Sequence, residues 1–355
     1  MVALIFCGDL KYCPYIRRYI ERLEHKNIAY KVYFWNRGGF QLNLPNSTYE
    51  WYDSSSSLKK SKIRKLIDFL SFRAWLIRKL IKDKPSKIIA LSTLTGVLLG
   101  KYLYSNCTPY IFDIRDYSYE HIKPFYRVEK KVINNSAFTA ISSKGFKHFL
   151  PEDEYVIAHN FNRNDIKEKY CMKPHTDKIR FVWNGVIRYF EFQRLYLDAL
   201  KNDPRFEIVF HGDGPDLDLF VEYCNNNGFT NVIFTGSYDN DMKDLLLSNA
   251  DILNNCYGYV GNAGSKLKYA VSNRFYDGLI YHIPQIVEVD GFKSEWVSSS
   301  GVGKSFAPSE DFAERLFSYY HTMDRTLFDE NCNRELKRVI AEDDLYIEKI
   351  DAFIE

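Results

Sequence analysis

The chain has 355 residues, enough for two domains of ordinary size. Hydrophobic residues make up 46% and charged residues 26%, with no low-complexity tract, which excludes a disordered or fibrous protein. The formal net charge of +2 demands no polyanionic partner, and no nucleic acid is expected.

The first apolar run, residues 2–7, predicts a buried strand. It lacks a basic leader and stops at Gly8-Asp9, so a signal peptide is not expected. No stretch approaches the roughly 18 apolar residues needed to span a bilayer. The 7 cysteines are scattered singly, without a metal-binding spacing, and are expected to be reduced thiols. Together these features lead to the expectation of a cytoplasmic protein.

Short apolar runs then alternate with helical periodicity along the whole chain. A helix is predicted over 13–26, a strand over 30–35, and a polar loop to about residue 57. A basic helix covers 59–84, followed by strand 87–91, helix 95–104 and strand 109–112. Helix 125–134, strand 138–141, a short helix from 143 and strand 155–158 complete the first half. A polar linker, 162–178, reads as a hinge. The second half is predicted as strand 179–183, helix 192–201, strand 206–211, helix 217–226, strand 232–235 and helix 239–249. Strand 252–254, helix 273–280, strand 285–287 and an amphipathic helix over 333–354 follow. This alternation is the signature of βαβ units and parallel sheets. The domains are placed at 1–165 and 175–330, with 331–355 a terminal helix returning toward the first.

In open parallel sheets ligands bind outside the carboxyl ends of the strands, so the loops after strands are where chemistry is expected. Gly185-Val186-Ile187-Arg188 follows the first strand of the second half: the glycine permits close backbone approach, and the guanidinium can fork onto a diphosphate. His211-Gly212-Asp213-Gly214-Pro215 permits a tight turn, equally at home between any strand and helix. Ser272-Asn273-Arg274-Phe275-Tyr276-Asp277-Gly278 opens a helix whose free amides suit an anion. Asp277, one turn on, can accept from a diol or simply be solvated.

Taken in order, these loops resemble the donor site of family 4-type retaining glycosyltransferases. The block from Tyr269 to Leu279, ending in Ile283-Pro284-Gln285-Ile286-Val287, is similar to that family's pattern "YALPNKLYEYL…GKPVI". The stretch 181–200, the His211–Pro215 turn and Asn231-Val232-Ile233-Phe234-Thr235-Gly236 resemble it in the same order, as do Phe112-Asp113-Ile114-Arg115-Asp116 and Ala140-Ile141-Ser142-Ser143-Lys144-Gly145-Phe146. The resemblance covers most of the chain, strongly in the second half and loosely in the first.

The resemblance implies a GT-B fold, two Rossmann-like doubly wound domains facing across a cleft. A nucleotide-sugar would bind the second domain, and a glycan or lipid-linked acceptor the first. It implies that Arg188, with Lys266 or Lys268, meets the donor diphosphate, that Gly185, Gly212 and Gly214 line the donor, and that Tyr238 lies near the base. The amides around Asn273 and Arg274 would cradle phosphate, and Asp277 would take the place of a ribose-binding glutamate. In the first domain Gly8 and Asp9 would face the acceptor, and Arg115 and Asp116 would be catalytic. The sequence departs from the family at three points: Tyr269 stands where the first of two glutamates is usual, Gln193 where a lysine is, and Arg115 where a histidine is. In this family the departing phosphate serves as the base, with retention. No cofactor and no essential divalent metal are expected.

Residues 59–84 contain ten Lys or Arg against Asp68 and Asp83, with apolar residues at helical spacing. They read either as an interfacial helix on anionic lipid or as a surface helix packed on the first domain. Gly301-Val302-Gly303-Lys304-Ser305 mimics the end of a P-loop, but the first glycine that motif requires falls at Ser298. The expected activity is a glycosyl transfer in surface polysaccharide synthesis. A nucleotide-sugar 2-epimerase or a non-catalytic nucleotide- or sugar-binding chain are the competing readings.

Overall fold

The computed structural model describes residues 1–45, 47–54, 61–166, 178–258 and 267–355, without the side chains of Lys62 and Asn240. The chain divides into two compact units, residues 1–159 with 341–355, and residues 160–340. The division thus falls just before the predicted linker, of which residues 167–177 lie outside the described residues.

The first unit is built on a seven-stranded sheet. Its strands are β1 (Val2–Phe6), β2 (Tyr30–Asn36), β3 (Tyr49–Asp53), β4 (Lys87–Leu91), β5 (Tyr110–Ile114), β6 (Phe138–Ile141) and β7 (Tyr155–Ile157). They lie in the order β3-β2-β1-β4-β5-β6-β7, and every pairing is parallel. Central strands of such a sheet are covered on both faces, which is why β1 reads as the unbroken apolar run VALIF and is buried throughout. Its register sets Val2 against Tyr30 on one side and Lys87 on the other. Crossover helices include α1 (Ile16–His25), α2 (Lys62–Asp83), α3 (Thr93–Leu99), α4 (Lys101–Ser105) and α5 (Lys123–Asn134).

Three details differ from the sequence expectation. The polar loop before residue 57 contains β3, an edge strand whose sequence YEWYD carries no apolar run. The helix predicted over 95–104 is two helices, broken at Gly100, whose φ of +41° with ψ of −111° suits a residue without a side chain. The short helix from 143 is a 3₁₀ turn, Lys144–His148.

The second unit carries β8 (Ile179–Asn184), α6 (Phe190–Ala199), β9 (Phe206–His211), α7 (Leu217–Asn226), β10 (Val232–Gly236), α8 (Lys243–Leu247) and β11 (Ile252–Asn254). It continues with α9 (Asn273–Ile280), β12 (Gln285–Val287), α10 (Phe292–Ser300), β13 (Gly303–Ser305) and α11 (Phe312–Thr322). The sheet order is β10-β9-β8-β11-β12-β13, again all parallel. Alternate residues of β8 feed the two faces: Val182 enters one core cluster with Phe275 and Leu279, whereas Phe181 and Trp183 enter another with Tyr196 and Phe220. The P-loop mimic is now explained, since Gly301 ends α10 at a φ of +72° and Gly303–Ser305 is the edge strand β13. The helix predicted over 239–249 is shorter, a 3₁₀ turn Asn240–Met242 followed by α8. Helices α10 and α11 lie where no element was predicted.

The last helix, α12 (Arg325–Ile354), starts eight residues before the predicted 333. Its residues from Ala341 onward belong to the first unit. There Tyr346, Ile350 and Ile354, spaced at four, are buried in the first core. Arg18 and Arg22 on α1 and Lys26 just past its end, spaced at four, pair with Asp343, Asp351 and Glu355. The six cysteines among the described residues are unpaired, and Cys171 lies outside them. No described helix is long and apolar enough to cross a membrane.

Candidate functional site

Both sheets have the 3-2-1-4-5-6 strand order of doubly wound folds, in which the crevice forms where the winding reverses. In the second unit that point lies beyond the carboxyl ends of β8 and β11. The ladder between these strands pairs Ile252 with Phe181 and Leu253 with Val182. Past its end, Arg274 takes over. Nε and Nη2 of Arg274 donate to the Asn184 carbonyl at 2.8 and 2.6 Å, and Nη1 donates to the Asn254 carbonyl at 2.9 Å. The guanidinium lies 3.6 Å from the centre of the Trp183 ring and is buried. No described carboxylate is within ion-pair distance of it, and burial lowers its pKa. Arg274 was expected to contact the donor. Its fork instead fastens the two strand ends, so what it offers a ligand is its positive field.

Arg274 is the second residue of α9. The cap residue Ser272 does not cap: its hydroxyl donates to Asn255 Oδ1 at 2.8 Å. The amides of Asn273 and Arg274 donate to no described residue, and they open a helix of eight residues, where partial positive charge collects. Asn273 is exposed, and its Oδ1 accepts from Asn160 Nδ2 at 2.5 Å.

The three loops after β8, β9 and β10 are bonded to one another through their backbones. Gly185 N donates to His211 O and Ile187 N to Asp213 O, each at 2.9 Å, and Gly212 N donates to Gly236 O at 2.9 Å. A Cβ on Gly212 would sit 2.0 Å from the Gly185 carbonyl, and one on Gly214 would sit 2.1 Å from the Ile187 carbonyl. These glycines are therefore required by loop-to-loop contact, and Gly214 N turns back to Asp213 Oδ1 at 2.7 Å. Gly185 itself, at a φ of +103°, would tolerate nothing larger without backbone strain. Arg188 extends from this platform. It is exposed, lies 4.8 Å from the Tyr189 ring centre, and forms no ion pair with a described residue.

Asp277 differs most from expectation. Read as a carboxylate free for a diol, it is buried with both oxygens engaged: Oδ1 pairs with Lys243 Nζ at 2.5 Å, and Oδ2 accepts from Asn184 Nδ2 at 2.9 Å. Burial raises its pKa, and Lys243 opposes that rise. Lys243 also pairs with Asp165 at 2.8 Å. Burial alone would lower the lysine's pKa, but the two carboxylates outweigh it and the net shift is upward. The Tyr238 hydroxyl lies in this field, its pKa raised by burial first and by Asp277 second. Asn184 Oδ1 is buried without a hydrogen-bond partner, an acceptor left open beside the cluster. Neither Lys243 nor Asn184 belongs to a recognisable motif, and sequence reasoning missed both.

A second polar layer holds the chain after β11. Gln193, standing where a lysine was expected, donates to Cys256 O and accepts from Asn254 Nδ2 at 2.8 Å. Lys293 donates to Asn255 O at 2.6 Å and pairs with Glu288 at 2.9 Å, both side chains being 1% exposed. Glu288 also accepts from Tyr257 N at 2.7 Å. Lys266 lies outside the described residues. Lys268 is close to the Tyr269 ring, at 5.9 Å from its centre.

In the first unit, Gly8 and Asp9 follow β1, and Asp9 Oδ1 accepts from Gly38 N at 2.9 Å, tying two loops together. Arg115, expected to be catalytic, is engaged by other residues of the first unit. Nε and Nη2 donate to the two oxygens of Asp113 at 2.5 and 2.9 Å, Nη1 donates to Ala158 O at 2.9 Å, and Tyr346 Oη lies 3.3 Å from Nη2. Asp113, fully buried, also accepts from Tyr19 Oη at 2.7 Å. This network braces β5 against α1 and the end of α12. Asp116 is exposed beside it and accepts from Thr93 Oγ1 through its carbonyl at 3.1 Å.

The sequence contains Asp-x-Asp spacing twice, a carboxylate pattern that can hold a metal. Asp216 of the first pair receives a bond from Phe190 N at 3.1 Å, and Asp218 lies in the first turn of α7. The second pair, Asp239 and Asp241, belongs to the turn before α8. Among the described residues no three His, Cys, Asp or Glu side chains are grouped for a metal ion.

No protein-family model matches the chain. No curated protein matches it either. Solved structures do, over nearly their full length. A glycosyltransferase from Rickettsia africae superposes with a TM-score of 0.67 at 13% identity, covering 98% of this chain and 96% of its own. The Anabaena protein HepE, solved with UDP-glucose, gives 0.65 at 13% identity and 99% coverage of both. The lipopolysaccharide outer core galactosyltransferase WaaB gives 0.62 at 17% identity and 94% coverage of both. The fold is GT-B. It has the two parallel sheets, one per Rossmann-like unit, that the sequence led us to expect.

Proposed function

We propose that this chain is a glycosyltransferase that takes a sugar from a nucleoside-diphosphate donor bound at the reversal point of the second sheet. One observation carries the reading: an exposed Arg188 and a buried Arg274, neither with a carboxylate partner among the described residues, and the amides that open α9 all belong to the loops at the end of β8 and β11 or to the helix fastened there. A departing diphosphate develops negative charge, and preorganised donors aimed at that charge are the largest common source of rate in such sites. That HepE was solved with UDP-glucose supports a nucleotide-sugar as the ligand class.

In this reading Arg188 and the α9 amides meet the diphosphate. Arg274 holds the strand ends and raises the local potential, and Asn184 Oδ1 accepts from a donor hydroxyl. Retention follows if the departing phosphate deprotonates the acceptor, which would be a glycan or lipid-linked glycan of surface polysaccharide. No step is assigned to a metal.

The test is thermal-shift titration against UDP-, GDP-, ADP- and CMP-sugars, followed by a transfer assay with the best ligand. A ligand at a hundred times its Kd stabilises by about 2.7 kcal/mol. One donor should raise the melting point and turn over. If none of the four shifts the transition, the reading fails. Binding without turnover would favour a non-catalytic sugar-binding chain, a reading to which the fully engaged Asp277 and Arg115 lend support.

A further inference from the structure

Helix α2 has two apolar faces, and the fold uses only one. Phe72, Leu76 and Leu80 are fully buried. They pack toward the sheet through an aromatic stack: Phe72 lies 5.4 Å from Trp35 at 16° and 5.9 Å from Trp75 at 25°. On the opposite side Ile63 is 72% exposed, Leu66 58%, Ile67 56%, Leu70 52% and Ile81 61%. Ala74 is also exposed, and Ile77 is half-buried. The spacing i, i+3, i+4, i+7, i+11, i+14, i+18 keeps all seven within about 100° of one another on the helix. This is a continuous stripe more than four turns long, facing solvent.

Cations border the stripe. The same spacing places Arg64, Arg78 and Lys82 along one margin, whereas Arg73 on the other side is partly buried and donates to Leu98 O at 2.8 Å. None of Arg64, Lys65, Arg78, Lys82 and Lys84 forms an ion pair with a described residue. The Arg78 guanidinium reaches only the Ala74 carbonyl of its own helix, at 3.3 Å. The helix carries Asp68 and Asp83 as its only acids, and Asp83 is turned to Lys31 at 3.1 Å and to Tyr33.

We infer that α2 is a membrane-docking surface, its stripe entering the headgroup boundary of an anionic bilayer while the bordering arginines and lysines meet lipid phosphates. Charge selects the occupant. A second copy of this helix would set like charges against each other, whereas anionic lipid satisfies the apolar stripe and its basic margin at once. The inference uses residues of the first unit alone and stands apart from the donor-site reading.

Flotation of the full-length protein with liposomes tests it. One set is phosphatidylcholine alone and the other contains added phosphatidylglycerol. The protein should float with anionic vesicles, release on raising salt, and stay with the soluble fraction when vesicles are neutral. Ile67→Glu with Leu70→Glu, and separately Arg64→Glu with Arg78→Glu, should each reduce vesicle binding at least tenfold. Both pairs face solvent, so melting temperature and nucleotide-induced shift should match wild type, which separates lost docking from lost folding or a failed donor site. Equal flotation with both lipids, none with either, or wild-type binding by both variants overturns the inference. So does a concentration-dependent dimer abolished by the Ile67/Leu70 variant.

Discussion

Arg188 and Arg274 make opposite predictions, and their contrast tests the site most directly. Arg274→Met removes three hydrogen bonds to the Asn184 and Asn254 carbonyls while filling much of the same space. Each buried carbonyl left unmet costs about 1–3 kcal/mol. Removing a buried guanidinium whose pKa burial already lowers returns part of that. A net loss of about 3 kcal/mol should lower the melting point of the second unit by roughly 6–12 °C. Arg188→Ala removes an exposed side chain whose recorded contact is the Tyr189 ring, so stability should change by no more than about 0.5 kcal/mol. Its loss should nevertheless cost about 3 kcal/mol of transition-state stabilisation, on the order of a hundredfold in kcat. Differential scanning calorimetry with and without nucleotide, paired with a transfer assay, reads both numbers. The reasoning is refuted if Arg188→Ala keeps wild-type turnover, or if Arg274→Met melts like wild type.

Three further outcomes follow from the first unit and from the site's chemistry. Glu129 on α5 is fully buried, neither of its oxygens has a hydrogen-bond partner, and burial, then nearby Glu120, raises its pKa from 4.5 to about 8. The unfolded chain releases that proton near its ordinary pKa while the folded one keeps it, so stability should fall as pH rises from about 4.5 to about 8. Glu129→Gln should cancel that fall, gaining up to about 4 kcal/mol on wild type by the top of the window; parallel pH–melting curves for the two proteins would contradict it. Truncation after Ile340 strips Tyr346, Ile350 and Ile354 from the first core and leaves Asp113 and Arg115 without Tyr346. The first unit should then lose its cooperative transition, and an unchanged near-ultraviolet circular dichroism spectrum would count against the packing described. Transfer activity should persist in excess chelator if, as proposed, the leaving group is met by arginine and helix amides; complete and metal-reversible loss would reassign one of the Asp-x-Asp pairs.

Much of this architecture was legible because parallel strands covered on both faces are written as short apolar runs. β1, β4, β9, β11 and β12 could be placed that way, and the loops that follow them are where the polar site lies. β3 was not legible. Its YEWYD pairs only with β2 and takes its burial from aromatics on α2, a partner that lies beyond local pattern. The site was legible in position but less so in role. Arg274 sits in the first turn of a helix, where a charged residue ordinarily faces water; only the meeting of β8 and β11 beside it makes it a strand clamp. Gly212 and Gly214 were expected to line a donor, and it is the approach of Gly185 and Ile187, some 27 residues earlier in the chain, that excludes a side chain there. Lys243 announced nothing, because its partners Asp165 and Asp277 come from distant segments.

The charges of the second unit's site, taken together, explain why a fold would keep a guanidinium buried against carbonyls alone. Asp165, Lys243 and Asp277 form a cluster with one negative charge in excess, and Arg274 and Arg188 add two positive charges. These five side chains therefore sum to one positive charge, with the partial charge of the α9 terminus beside them. A buried ion lacking a counter-ion carries a desolvation cost, which the three carbonyl bonds of Arg274 outweigh without abolishing. On the proposed reading, an anion bound beside Arg188 and the α9 amides would offset that cost and gain affinity by doing so. A diphosphate, compact and multiply charged, supplies more of that compensation than a carboxylate or a neutral sugar. On the proposed reading Asp277 can turn inward to Lys243 without forfeiting the site: recognition of the donor's charge would rest on the arginines and the helix end, while the carboxylate pairs with the lysine and accepts from Asn184.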